Sequence, residues 1–141
     1  MNRNLVSAEW LRAYDALQAA KNLTGDRLYA DAISRAYYAI LHAAKAALHV
    51  HDVAAESHPA VRRMFGLHLV KSGEIEPQWS AYLTASLDDR LAADYDVETV
   101  FSRKEARSEC IRAGEFLKRI KQYLLKNGLK ASELRKANQR S

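Results

Sequence analysis

The stretch from about Arg27 to Val50 limits the fold more than any other part of the chain, because its residues repeat at helical spacing on three faces. Three stripes at helical spacing run through its centre, DAISRAYYAILHAAKAAL. Ile33, Tyr37, Ile40, Ala44 and Leu48 recur at steps of three and four and form a core-facing stripe. Ala32, Ala36, Ala39, Ala43 and Ala46 repeat beside it, with so little side chain that a neighbouring helix can approach closely. The third row, Arg35, Tyr38, His42, Lys45 and His49, is basic and aromatic. A helix that is apolar on two sides and polar on one belongs inside a bundle, with one narrow face left for water or a partner.

The rest of the chain reads as helices around this one. Ser7 is a candidate cap for a first helix, whose face carries Trp10, Tyr14, Leu17 and Lys21, and Asn22 to Gly25 stops it. A third helix begins near His58-Pro59 and ends at Ser72-Gly73. Pro77 opens a fourth, with Trp79, Leu83, Leu87 and Leu91 as its apolar stripe. It decays from Tyr95 to Thr99. Ser102 and Glu105 have the spacing of a capping box, and Ala106, Cys110, Ala113, Leu117, Ile120 and Leu124 then repeat at four, three, four, three, four. Asn127-Gly128 breaks this fifth helix, and Ser132 to Ala137 can add one short helical turn. There is no alternating strand pattern. The expected architecture is all-α, an up-and-down antiparallel bundle of about five helices over residues 1–126, followed by a basic tail over 127–141.

Composition narrows the function classes. At 141 residues with 48% apolar side chains, one domain can bury a real core. No apolar run reaches the roughly 18 residues of a membrane span, and the first ten residues do not resemble a signal peptide. The single Cys110 precludes an internal disulfide and fits a reducing compartment, so a cytoplasmic location without membrane contact is expected. The net charge is +5. Lys126, Lys130, Arg135, Lys136 and Arg140 against Glu133 give the tail +4 of it, which suits either RNA, an acidic partner or solubility alone. No Cys/His metal pattern, glycine-rich phosphate loop or nucleophile elbow occurs, so neither a metal nor a cofactor is expected.

The chemistry concentrates in Ser86-Leu-Asp-Asp-Arg90-Leu-Ala-Ala-Asp94-Tyr95. Arg90 and Asp94, four apart, share a helix face and can pair. Arginine offers a planar, permanently charged fork that suits phosphate, and an adjacent phenol and carboxylate can position a hydroxyl or move a proton. The other reading of the pair is a structural closure of the helix. Tyr38, beside Arg35 and His42, can stack a base or form a dimer contact.

AYYAILHAAKAAL, then His58, then Arg90-Leu-Ala-Ala-Asp94-Tyr95, then a closing amphipathic helix, resemble in order and spacing the HEPN superfamily. The nearest branch is the small single-domain prokaryotic proteins, and the resemblance spans about residues 10–125. It implies a bundle of four long helices and a shorter one, paired into a homodimer. For active members it implies metal-independent RNA cleavage at a site shared across that dimer. In toxin–antitoxin pairs of this family the partner is a minimal nucleotidyltransferase, which can silence the toxin by attaching AMP to a tyrosine. The ribonuclease members carry an arginine followed four to six residues later by histidine. Arg90 matches the arginine, while Asp94-Tyr95 stands in the place of the histidine.

Carried onto this chain, the resemblance makes Arg90, Asp94 and Tyr95 the catalytic candidates, with Tyr95 also the candidate for AMP attachment. Arg35, Tyr38, His42, Arg62 and Arg63 are the candidates for RNA or nucleotide binding. Cleavage without a metal needs a base and an acid, roles that histidine fills near neutral pH. Tyrosine, with a pKa of about 10, is a poorer base. Cutting RNA and binding RNA, a nucleotide or the nucleotidyltransferase without cutting are therefore both open. The literal spacing Arg63-Met-Phe-Gly-Leu-His68 also occurs, but His68 falls on the apolar face of the third helix. His58 is read as a helix-start residue that can orient the central helix.

Overall fold

A computed structural model describes residues 1–136 of the chain. Five helices follow in order: α1 Arg3–Gly25, α2 Tyr29–Val50, α3 His58–Phe65, α4 Gln78–Tyr95 and α5 Arg103–Lys126. A π-helical turn, Gly66–Val70, extends α3, and a 3-10 turn, Ala131–Leu134, follows α5. Among the described residues there is no strand. The all-α bundle read from the sequence is the fold observed.

Helix α2 is the axis and contacts α1, α3, α4 and α5. The five alanines from Ala32 to Ala46 and the stripe from Ile33 to Leu48 are all buried. With a methyl group as the only side chain, the alanine row brings α1 close along its length. The helix starts two residues later than its pattern suggests, because Arg27 adopts a left-handed backbone (φ 65°) in the connection from α1.

The start of α1 differs from the sequence reading as well. Asn2 is the cap, its side chain accepting the Leu5 N–H at 3.2 Å, and Ser7 lies inside the helix. The additional turn is held from far along the chain. Val6 is fully buried, and Arg3 pairs with Glu133 and donates to the Gly128 carbonyl at 2.7 Å. Residues after α5 therefore pack on α1. Leu129 and Leu134 are buried, and Trp10 Nε1 donates to the Leu134 carbonyl at 3.1 Å. The short turn expected at Ser132 to Ala137 is formed at Ala131–Leu134, while Ala137 lies outside the described residues.

Ser57 caps α3 by accepting from the Ala60 N–H, and Pro59 occupies its first turn. The segment stays helical past Phe65 but widens into the π turn. It closes at Gly73, whose positive φ of 83° is open to glycine. Helix α5 has the capping box expected of it: Ser102 Oγ accepts from the Glu105 N–H at 3.1 Å and Glu105 accepts from the Ser102 N–H at 3.2 Å. Its stripe from Ala106 to Leu124 is buried, Cys110 included.

In α4, Trp79 and Leu83 face inward as expected, but Leu91 does not and is 41% exposed. The inward line turns at Leu83 and continues through Ser86 to Arg90, whose side chain is only 14% exposed. A steady 3.6-residue period does not require the apolar stripe to keep one neighbour. Here the second half of α4 turns a polar line toward α2.

Candidate functional site

That polar line meets the adjacent tyrosines of α2. Arg90 Nη2 donates to the Tyr38 hydroxyl at 3.0 Å. Its Nε lies 2.9 Å from Asp94 Oδ2, one helical turn further on. The Nε–H does not point at that oxygen, so the contact is an ion pair without a linear hydrogen bond. The guanidinium carbon sits 5.3 Å from the Tyr38 ring centroid and 5.7 Å from that of Tyr37. Two aromatic faces, one hydroxyl and one carboxylate thus fix the group in place. Among the described residues Nη1 makes no hydrogen bond and is not fully enclosed.

Tyr37 is 2% exposed, and its hydroxyl is hydrogen-bonded to Nδ1 of His58 at the start of α3. The two rings stack with centroids 5.3 Å apart. Burial, with the phenol of Tyr38 adding to it, pushes the Tyr37 hydroxyl up to about 12 against the opposing charges of Arg90 and Arg62. His58 is held below the usual imidazole value, first by burial and then by the charges of Arg90 and Lys45.

Beyond Tyr38 the row continues along α2. The Arg35 guanidinium lies 4.5 Å from the Tyr38 centroid, and the His42 ring stacks on Tyr38 at 6.4 Å. His42 Nδ1 donates to Glu9 of α1 at 2.7 Å, and Lys45 lies 3.6 Å from the other oxygen of that carboxylate. Burial alone would raise the Glu9 carboxyl. The His42 hydrogen bond and the charges of Lys45, His42 and His49 outweigh it and hold the carboxyl below its ordinary value. Arg12, Asp15, Arg35, Tyr38 and His42 line an open groove of about 460 Å³ between α1 and α2, a size that suits a small ligand such as a nucleotide. Tyr38 belongs to both parts: its ring lines the groove and its hydroxyl binds Arg90.

The structure brings Arg90, Asp94, Tyr38, Arg35 and His42 together. Arg62 is exposed on α3 but close enough for Tyr37 to feel its charge. Arg63 is exposed on α3. Tyr95, the last residue of α4, is 71% exposed. His68 lies in the π turn, half-buried. Sequence reasoning took Tyr37 as plain core and His58 as a helix start that can orient the central helix. The hydrogen bond that joins them spans 21 residues and a loop, and no local pattern announces it. Among the described residues no cluster of His, Cys, Asp or Glu could hold a metal, and no helix is long and apolar enough to cross a membrane.

The all-α bundle agrees with the comparison to known families. The family model described as HEPN domain matches residues 7–127, and the chain belongs to the HEPN family. It is 41% identical over 112 residues to "Putative toxin MJ0605" of Methanocaldococcus jannaschii, covering 79% of this chain and 83% of that protein. It is 31% identical over 120 residues to "Putative toxin MJ0142" of the same archaeon, covering 84% and 82%. With "UPF0332 protein glr0978" of Gloeobacter violaceus it shares 27% identity over 114 residues, 80% of this chain and 90% of that one.

Proposed function

We propose that this HEPN protein is the toxin of a HEPN/nucleotidyltransferase toxin–antitoxin pair, working on RNA as a homodimer with Arg90 gripping a phosphodiester. The observation that carries the reading is the half-engaged guanidinium. Arg90 is held by Tyr38, Asp94 and two ring faces, yet among the described residues one arm of its fork makes no hydrogen bond. An arginine immobilised in this way has already lost its rotamer freedom and meets a phosphate oxygen at little further entropic cost. The Tyr38 hydroxyl accepts from Arg90, so its own proton remains available to the same anion. The groove lined by Arg12, Arg35 and Tyr38 gives the strand a cationic, aromatic path toward that point. The toxin names of the two Methanocaldococcus jannaschii relatives support the toxin assignment.

Metal-independent cleavage of the held phosphodiester is the finer form of this proposal, with Asp94 orienting Arg90. Tyr95 suits the role of AMP acceptor, because its side chain is open to a partner enzyme and a nucleotide placed there would stand next to Asp94 and crowd the site. One observation favours the second reading, binding without cutting: Asp94-Tyr95 occupies the place of the family's histidine. Expression in a bacterial host distinguishes the two. Under the cleavage reading the wild type arrests growth, purified protein cuts RNA in the presence of EDTA, and Arg90→Ala abolishes both with its helical circular dichroism unchanged. RNA binding without cutting supports the second reading, and an Arg90→Ala variant that behaves as wild type throughout removes both. Co-expression with a minimal nucleotidyltransferase followed by mass spectrometry is expected to find AMP on Tyr95 and none on Tyr95→Phe.

A further inference from the structure

We propose that His58 is the second anion-binding group of this site, a neutral imidazole whose Nε2–H is offered to the same phosphodiester that Arg90 holds. The inference rests on the phosphodiester reading of Arg90 and adds to it a residue to which sequence reasoning assigned only a helix-start and orienting role.

The proton on Tyr37 sets the tautomer of His58. The Tyr37 hydroxyl is enclosed in the bundle, and among the described residues its hydrogen-bond partner is His58 Nδ1. A buried phenol keeps its proton and must donate it. The phenol here is held further from ionisation than usual, chiefly by burial. Nδ1 is therefore the acceptor, and in a neutral imidazole the remaining proton then sits on Nε2. Protonating the ring would put a proton on both sides of the Tyr37–Nδ1 contact. Arg90 and Lys45 nearby also disfavour that extra charge. The ring is thus set as a fixed, uncharged donor.

The geometry places this donor beside the arginine. Among the described residues Nε2 makes no hydrogen bond to protein and is not fully enclosed. His58 and Arg90 pack on the same two rings: His58 at 5.3 Å from Tyr37 and 6.4 Å from Tyr38, the Arg90 guanidinium at 5.7 and 5.3 Å. An imidazole needed only to tie α3 to α2 would use Nδ1 and nothing more. The unengaged Nε2–H next to an unengaged guanidinium arm is what a phosphate with two free oxygens would engage.

A non-cleavable 2′-O-methyl oligoribonucleotide of mixed sequence tests this by fluorescence anisotropy over a range of salt. His58→Asn keeps an acceptor where Nδ1 stood and loses the Nε2 donor. It is expected to weaken binding roughly ten- to a hundredfold, the effect of one hydrogen bond to a charged group. The thermal midpoint and the slope of log K against log salt should not change, because no charge has been removed. Arg90→Ala should weaken binding and flatten that slope. Tyr37→Phe, which frees Nδ1, should weaken binding less and mix the two tautomers in histidine ring NMR, where the wild type shows Nε2–H alone. Wild-type affinity in His58→Asn together with a loss in Arg90→Ala would make His58 a mere anchor and overturn the inference while leaving the Arg90 reading intact. A flatter slope in His58→Asn, or an Nδ1–H signal in the wild type, would overturn the neutral donor. No binding by the wild type would remove the Arg90 reading and this one with it.

Discussion

Glu109 shows most sharply how one residue's surroundings set its chemistry. It is buried on α5, with its carboxylate 3.0 Å from Arg112, and Arg112 also lies 3.1 Å from Asp89 of α4. Burial, with a proton shared toward Asp89, outweighs the attraction of Arg112 and pushes Glu109 up to about 8. Between an ordinary glutamate value near 4.5 and that raised one, the folded chain holds a proton that the unfolded chain has released. Stability therefore falls as pH rises through this window, by an amount on the order of a few kcal/mol. Glu109→Gln should remove that slope and match or exceed the wild type at pH 8.5, as read by thermal midpoints at pH 5.5, 7 and 8.5. At this scale the site was partly legible. Arg90 and Asp94 were found because four residues make one helical turn and bring two charges together. The His58–Tyr37 bond was not, because nothing in either residue's neighbourhood in sequence specifies the other.

Among the elements, α2 carries the tightest constraint. Its alanines from Ala32 to Ala47 are buried without remaining exposure, so Ala43→Leu forces three carbons into space already filled. We expect a loss of roughly 1–3 kcal/mol in urea unfolding, against little change for Ala81→Leu on the exposed side of α4. The α2 pattern was readable because its stripes are local and its burial surrounds it. Two of the departures from pattern have a long-range cause. The start of α1 is drawn back to Arg3 by contacts with Gly128 and Glu133, more than a hundred residues away. The inward line of α4 passes to Arg90 because the tyrosines of α2 accept a guanidinium there, which leaves Leu91 outside.

Across the whole molecule, the ends of the chain fasten each other. Trp10, Leu129 and Leu134 close the bundle beside α1, and Lys136 pairs with Asp15. A chain ending at Lys126 loses two buried leucines and the partner of the Trp10 indole, which should cost about 3 kcal/mol or more. Thermal unfolding checks this: a lowered midpoint with helical content otherwise retained is expected. The charge count alone gave no sign of this packing, since basic residues of the segment flank the leucines that anchor it. The seam that holds α2 in place and the row that meets Arg90 lie on different sides of one rod. Substitutions along the polar row can therefore alter that surface while the frame is inherited unchanged, and a protein engineer can re-tool it on the same terms.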